Sequence, residues 1–209
     1  VRVPYGMGKG YGPTHSQTPI ELFSSLTSTK LVSYTPLLSY SNIFKEIQDS
    51  GQSSVIFEAK VHYGDRLQSW GDLIEPFQIK EYMGKISSDL LLTNSNNPKL
   101  NIVTHGSYTK QVLEFLNKYA IEAELLIVSE LYGDNKLISK LNDNRLPLCI
   151  IEEKNSNFGA LATMVSRELM SNNYKGTIHI NSSVECIPAN QQWESNLMLN
   201  FNELESIVN

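Results

Sequence analysis

This sequence predicts an α/β fold, a parallel sheet with helices on both faces, and three observations carry that prediction. Short runs rich in Val, Ile and Leu alternate with segments whose apolar residues recur at helical spacing, which is the grammar of βαβ units. One of these runs, Ser54-Val55-Ile56-Phe57-Glu58-Ala59, is apolar enough to be a central strand. The chain has 209 residues, 41% of them hydrophobic, so it can bury a core as one large domain or two small ones without disulfide staples.

The elements follow in order. Val1 to Pro4 is a short extended run, followed by a glycine-rich loop that lasts to Gln17. Pro19 suits the first turn of a helix carrying Ile20, Leu22, Phe23 and Leu26. Lys30 to Tyr34 is a strand ended by Thr35-Pro36, and a second helix runs from there to about Asp49 with Leu37, Leu38, Ile43, Phe44 and Ile47 in helical register. Ser54 to Ala59 is the next strand. From 64 to 98 the periodicity dissolves into a polar stretch with Trp70, Pro76 and Pro98, ending in Thr93-Asn94-Ser95-Asn96-Asn97, and it reads as a linker. The alternation then resumes. Leu100 to Thr104 is a strand, His105-Gly106-Ser107 a turn with Ser107 placed to cap a helix that reaches Tyr119, and Ala123 to Val128 a strand. A short helix over 136–141, a strand over 148–152, a helix over 159–172, a strand over 177–180 and a closing helix over 201–208 complete the chain. The expected domains are therefore 1–63, half of an α/β unit, and 99–209, a complete small α/β sandwich, joined by 64–98.

Composition excludes several function classes. A formal net charge of −5 with only 17 Lys and Arg argues against a nucleic-acid-binding face. No window approaches the roughly 18 consecutive apolar residues of a membrane span, and no secretory leader opens the chain. Cys149 and Cys186 lie in apolar stretches and read as two reduced, buried thiols of a cytoplasmic protein. Val1 is not a Met and reads as the cut end of something longer. His62 and His179 lack partners at metal-ligand spacing. Glu152 and Glu153, adjacent on a strand, face opposite ways, with Glu153 suited to a strand-end interaction. Trp70 and Trp193 sit in polar segments and read as anchors at a subunit interface, and His105 reads as a packing or interface residue.

The chemistry concentrates in Val3-Pro4-Tyr5-Gly6-Met7-Gly8-Lys9-Gly10-Tyr11-Gly12-Pro13-Thr14-His15-Ser16-Gln17. Glycine at every second position lets the backbone take positive φ and approach a ligand closely. The loop ends in His15, whose near-neutral imidazole suits proton transfer or carboxylate binding. Taken whole, the string from Arg2 to Gln17 resembles the β chain of the thiamine-diphosphate-dependent 2-oxo acid dehydrogenases. The resemblance continues through Lys30-Leu31-Val32-Ser33-Tyr34-Thr35-Pro36, Phe57-Glu58-Ala59-Lys60 with Tyr63, Ile102-Val103-Thr104-His105-Gly106, Ile151-Glu152-Glu153 and Phe158-Gly159. Gly12-Pro13-Thr14-His15 is similar to the loop of transketolase as well.

The resemblance implies the C-terminal half of a pyrimidine-binding parallel-sheet domain, followed by a transketolase C-terminal-type three-layer α/β/α domain. It implies His15 over the thiazolium as a catalytic group, with Ser16 and Gln17 orienting it. It implies a monovalent cation, potassium, at Glu46, Ile47, Asp49 and Gly51. The family's aminopyrimidine glutamate would lie upstream of Val1. Thiamine diphosphate and magnesium would be held mainly by an alpha chain or a diphosphate-binding domain. Here Gly64-Asp65-Arg66 with Asn96-Asn97 falls short of the family's metal motif, because Arg66 replaces a glycine. Further implied are a lipoyl-bearing acyltransferase partner, a homodimer or heterotetramer, and a cytoplasmic location (the mitochondrial matrix in a eukaryote). The expected activity is oxidative decarboxylation with acyl transfer to a lipoyl group. A non-catalytic assembly or regulatory module and a transketolase-type ketol transferase are the alternatives.

Overall fold

The computed structural model describes residues 1–26, 28–132, 136–143, 145–153, 160–172, 174–181 and 187–197. The first half builds strand β1 (Arg2–Tyr5), a single turn of helix α1 (Ile20–Phe23), β2 (Lys30–Tyr34), α2 (Tyr40–Ser50) and β3 (Ser54–Ala59). β1 and β2 both pair in parallel with β3, so this sheet is centred on the most apolar strand, as the sequence predicts. Helix α2 starts at Tyr40 and not directly after Pro36, because Ser39 is the residue placed to cap it: its hydroxyl accepts the Asn42 N–H at 3.3 Å. Gly51 closes α2 in the left-handed conformation at φ +62.

The segment expected to be a linker is folded. It holds α3 (Leu67–Ile74), β4 (Gln78–Met83) and β5 (Ser88–Thr93), and it finishes the second sheet. That sheet continues with β6 (Leu100–Thr104), helix α4 (Thr109–Tyr119) and β7 (Ala123–Ile127). A two-residue strand, β8 (Glu130–Leu131), leaves for the first sheet. Then follow β9 (Leu148–Ile151), α5 (Ala160–Leu169), β10 (Ile178–Asn181) and α6 (Gln191–Leu197). The second sheet runs β10-β9-β6-β7-β5-β4, parallel from β10 to β7 and antiparallel through β5 and β4. The polar composition of 64–98 misleads because β4 is an edge strand, exposed along most of its length, while Leu90, Leu91 and Leu92 of β5 are buried. The expected closing helix over 201–208, Phe158-Gly159 and Cys186 lie outside the described residues. The short helix expected over 136–141 is a 3-10 turn, Ile138–Lys140.

Both faces of the second sheet are buried, and side-chain alternation divides them. Leu90, Leu92, Ile102, Leu125, Ile127, Cys149 and Ile151 face α3 and α4, where they meet Trp70, Val112 and Leu116. Leu91, Val103, Leu126, Leu148 and Ile150 face the other way. There they meet Leu161 and Val165 of α5 together with Tyr5, Leu31 and Phe57 of the first sheet. The two sheets thus share one core. Trp70, expected at a subunit interface, is instead a core residue only 2% exposed, edge-on to His62 with ring centroids 4.9 Å apart. Cys149 is a buried free thiol, which burial pushes up to about 12. No helix among the described residues is long and apolar enough to cross a membrane.

The sheets also share a polar seam at the carboxyl ends of their strands. Tyr5, the last residue of β1, is fully buried, and its hydroxyl accepts the N–H of Ser107 at 3.1 Å. Ser107 is therefore tied to the first sheet and does not cap α4 with its side chain. Between them stands Gly106 at φ +51, where an added Cβ would fall 1.8 Å from the Tyr5 hydroxyl oxygen and 2.7 Å from Ser33 Oγ. Strain at positive φ and the overlap add up, so Gly106→Ala is expected to lower the unfolding free energy by about 3 kcal/mol. Adding Tyr5→Phe, which removes the clashing oxygen, recovers part of that loss. Urea unfolding of the two single variants and the double variant checks this, and additive losses would contradict the clash.

Candidate functional site

In a doubly wound α/β protein, ligands bind outside the carboxyl ends of the strands. Here the loop that follows β1 occupies that position, against the carboxyl ends of β6 and β9. Its glycines alternate at positive φ, from +98 at Gly6 to +73 at Gly12. This winds the backbone so that successive N–H groups point to one spot, forming an anion-binding concavity. The occupant is the chain's own Glu194, from α6. Glu194 Oε2 accepts the N–H groups of Gly8 (2.9 Å), Lys9 (3.1 Å) and Gly10 (2.7 Å). Its Oε1 accepts the Gly12 N–H (2.9 Å) and the Ser16 hydroxyl (2.6 Å). Glycine is required sterically as well: a Cβ at Gly10 would lie 2.7 Å from the Gln191 nitrogen.

Glu194 has no exposed surface and lies under the loop. Desolvation pushes its carboxyl up, but the hydrogen bonds from Ser16 and from the Gly10, Gly12 and Gly8 N–H groups outweigh it and hold the group below its ordinary value. The neighbouring Glu153, after β9, accepts the Met7 N–H at 2.6 Å. Burial dominates there and raises its carboxyl, against the lowering effect of Ser107, Met7 and Thr18. Glu152 turns the opposite way, as the sequence predicts, and accepts the Leu161 and Ala162 N–H groups in the first turn of α5 at 2.8 and 3.1 Å. Lys60 is nearly buried, with its ammonium 5.0 Å from the centre of the exposed Tyr11 ring. Desolvation lowers it, opposed by Glu194 and Glu153.

His15 stands at the exposed end of this loop. Its N–H and that of Ser16 both close on the Gly12 carbonyl, at 3.2 and 2.9 Å, in a tight turn. Of the residues expected to orient the imidazole, Ser16 is buried and its hydroxyl donates to Glu194, while Gln17 is exposed and its backbone carbonyl accepts the Gly6 N–H at 3.2 Å, closing the base of the loop. The residue on the imidazole is Thr14, with its hydroxyl 2.8 Å from His15 Nδ1. Gly12-Pro13-Thr14 already placed that hydroxyl next to the histidine. Glu194 could not be read locally, because it lies in a short polar helix far along the chain. The signal available is an acid in a segment without an apolar stripe.

The remaining candidates separate. Glu46 and Asp49 are exposed on α2, the Ile47 carbonyl accepts the Ser50 hydroxyl at 3.2 Å, and the Gly51 N–H returns to Gln48. These contacts are those of an ordinary helix C-terminus. Asp65 pairs with Lys110 at 3.0 Å, whereas Asn96 and Asn97 line a polar cavity of about 530 Å³ beside β4 and β5. Among the described residues no group of three His, Cys, Asp or Glu side chains could hold a metal ion. A second cavity, of about 380 Å³, lies by Tyr34, Tyr40 and Tyr63. It is braced by Arg2, whose Nε and Nη2 donate to Glu58 at 2.7 and 2.9 Å, while the Tyr40 and Tyr63 hydroxyls also donate to Glu58. Trp193 is exposed and Trp70 is not, so the pair does not form one surface.

No family model matches the chain, and no curated protein matches it. Solved structures do. A split-gene transketolase, described as an inactive β4 tetramer, aligns over 100% of this chain and 67% of its own at 12% identity and a TM-score of 0.58. A Pichia stipitis transketolase in complex with sedoheptulose 7-phosphate aligns over 98% of this chain and 27% of its own, at 14% identity and a TM-score of 0.50. A mutant of the same enzyme in complex with fructose 6-phosphate aligns over 96% and 27%, at 12% identity and a TM-score of 0.50. The chain thus spans about a quarter of the Pichia enzymes. These likenesses establish a transketolase-like α/β fold.

The seam beneath the loop carries a proton balance. His105 is 1% exposed, with Nδ1 3.0 Å from Ser33 Oγ, and burial lowers it to about 4. It is neutral when folded but takes up a proton below about pH 6.5 when unfolded, so its contribution is intact above that pH and falls away as the pH drops towards 4. The loss is about 3 kcal/mol across that window. Urea midpoints measured from pH 7 to pH 4 in the wild type and in His105→Asn test this, and the variant should show a shallower decline.

Proposed function

We propose that this chain is one component of a thiamine-diphosphate-dependent enzyme, to which it supplies an active-site histidine and a subunit-assembly domain. The observation that carries the reading is His15, exposed at the carboxyl ends of two sheets on a loop whose backbone is fixed from within by Glu194. The transketolase-like fold supports it, as does the resemblance of residues 2–17 to the 2-oxo acid dehydrogenase β chain.

The diphosphate and magnesium end of the cofactor does not fit this chain's own residues. Among the described residues no group of three His, Cys, Asp or Glu side chains could hold the magnesium that accompanies the diphosphate, and Glu194 closes the loop N–H groups in this structure. That end belongs to a partner, an alpha chain or a diphosphate-binding domain. The split-gene relative is described as an inactive β4 tetramer, which is in keeping with a component that needs a second chain and self-associates.

His15 handles a proton or a substrate carboxylate. With Thr14 on Nδ1, either tautomer is available: a Thr14 hydroxyl donating to Nδ1 leaves the proton on Nε2, and one accepting from Nδ1 leaves Nε2 as a base. The reaction we infer is decarboxylation of a 2-oxo acid with acyl transfer to a lipoyl group on an acyltransferase. Ketol transfer between sugar phosphates is the second reading, favoured by the transketolase likeness. Near the loop, Lys9 and Lys60 are the cations it would rely on, and Lys60 is already shared with Tyr11, Glu153 and Glu194.

The test is reconstitution with the diphosphate-binding partner and assay with 2-oxo acids and with ketose phosphates. His15→Ala should reduce kcat by about 10² to 10⁴ while leaving the unfolding midpoint unchanged, since the side chain is exposed. Near-normal turnover by the variant would remove the catalytic role. Absence of turnover with either substrate class in the wild-type complex would favour a non-catalytic assembly module.

A further inference from the structure

The glycine-rich loop holds a carboxylate, and that carboxylate arrives on the short helix α6. Of the side chains described over 191–196, Glu194 is the buried one, while Trp193 is 65% exposed. A helix docked through the usual apolar stripe buries residues at i, i+3 and i+4. This helix is docked through a carboxylate. Its own turn is well made: Asn190 Oδ1 accepts the N–H groups of Gln192 and Trp193 at 3.0 and 3.2 Å, and the Asn190 carbonyl accepts that of Glu194 at 2.9 Å. Besides Glu194, Gln191 ties α6 to the loop among the described residues, its Nε2 donating to the Gly8 carbonyl at 3.4 Å.

The receptor side is more elaborate than one side chain requires. Four backbone N–H groups and one hydroxyl converge on two oxygens, three donors on Oε2 and two on Oε1. Backbone cradles of this form hold phosphate oxygens in many proteins. A phosphate presents the same edge of two oxygens as a carboxylate, with more negative charge. The Lys60 ammonium stands 5.0 Å from the centre of the ring of Tyr11, itself a residue of the loop, so a cation lies beside the cradle.

We infer that the Gly6–Gly12 loop is a binding site for phosphate-class oxyanions that the chain keeps closed with Glu194, α6 acting as a strap that lifts when an oxyanion takes over the loop N–H groups. The inference rests on this loop's geometry and holds whether or not His15 is catalytic.

The test uses the whole chain and inorganic phosphate, with chloride at equal ionic strength as control. Backbone-resolved NMR and hydrogen exchange read the two sides of the contact separately. In the wild type, saturating phosphate should speed exchange over 191–196 at least tenfold while Gly8, Lys9, Gly10 and Gly12 stay protected. In Glu194→Ala the same four N–H groups should exchange faster without phosphate, recover protection with it, and bind it at least tenfold more tightly than the wild type does. If Glu194→Ala does not fold, Glu194→Gln carries the same comparison, since it keeps the shape and removes the charge. Phosphate that leaves the wild-type strap undisturbed, together with a charge-removed variant that binds it no better than the wild type, would overturn the inference.

Discussion

Everything in this molecule depends on how two sheets meet at the carboxyl ends of their strands. Strand ends expose unpaired backbone and polar side chains, and burying them without partners is costly. Here several of them pair across the seam. Tyr5 takes the Ser107 N–H, Ser33 faces His105, the Gly106 carbonyl takes His62 Nε2 at 3.1 Å, and Glu153 takes the Met7 N–H. Burial raises the Tyr5 hydroxyl and lowers the two histidines, so the seam is electrically quiet where apolar residues surround it. Glu152 and Glu153 each accept backbone N–H groups, and Asp65 stands 3.5 Å from His62 Nδ1. Gly106 holds the middle, since no side chain fits between Tyr5 and Ser33.

The loop that carries His15 inherits its order from that seam. Met7 is pinned by Glu153 on the seam side, the Gly6 N–H and Gln17 carbonyl close its base, and Glu194 fills its interior. A loop of four glycines has much conformational entropy to lose, and a dozen residues without these contacts would not hold an imidazole in one place. An exposed histidine on an ordered platform is what proton transfer and carboxylate recognition require: the side chain reaches a ligand while its backbone stays put.

Much of the fold was legible because burial on both faces writes itself into sequence as continuous apolar runs. β3, β6, β7 and β9 all stand where Val, Ile and Leu cluster. The 64–98 segment was illegible for the opposite reason. β4 is an edge strand that meets solvent, so Gln78-Ile79-Lys80-Glu81-Tyr82-Met83 carries no run, and Trp70 is buried from within a polar stretch. At the site, the loop glycines and His15 could be read directly. The role of Ser16 could not, since it depends on an acid some 180 positions away. Local spacing identifies a loop built to surround something, and only the tertiary fold supplies what it surrounds.

The smallest strand has the widest consequence. β8 is two residues long, yet it leaves the second sheet and pairs with β2 antiparallel, Leu31 opposite Leu131. Glu130 accepts the Lys85 and Ile86 N–H groups, and Asp89 accepts those of Ser129 and Glu130, so the crossing is anchored at both sides. The first sheet is consequently finished by a segment about a hundred positions downstream. Closing so long a loop costs chain entropy and makes this pairing a contact of high sequence separation. The two halves that the sequence separates share one core, and a chain cut between Thr93 and Glu130 would leave the first sheet without its fourth strand.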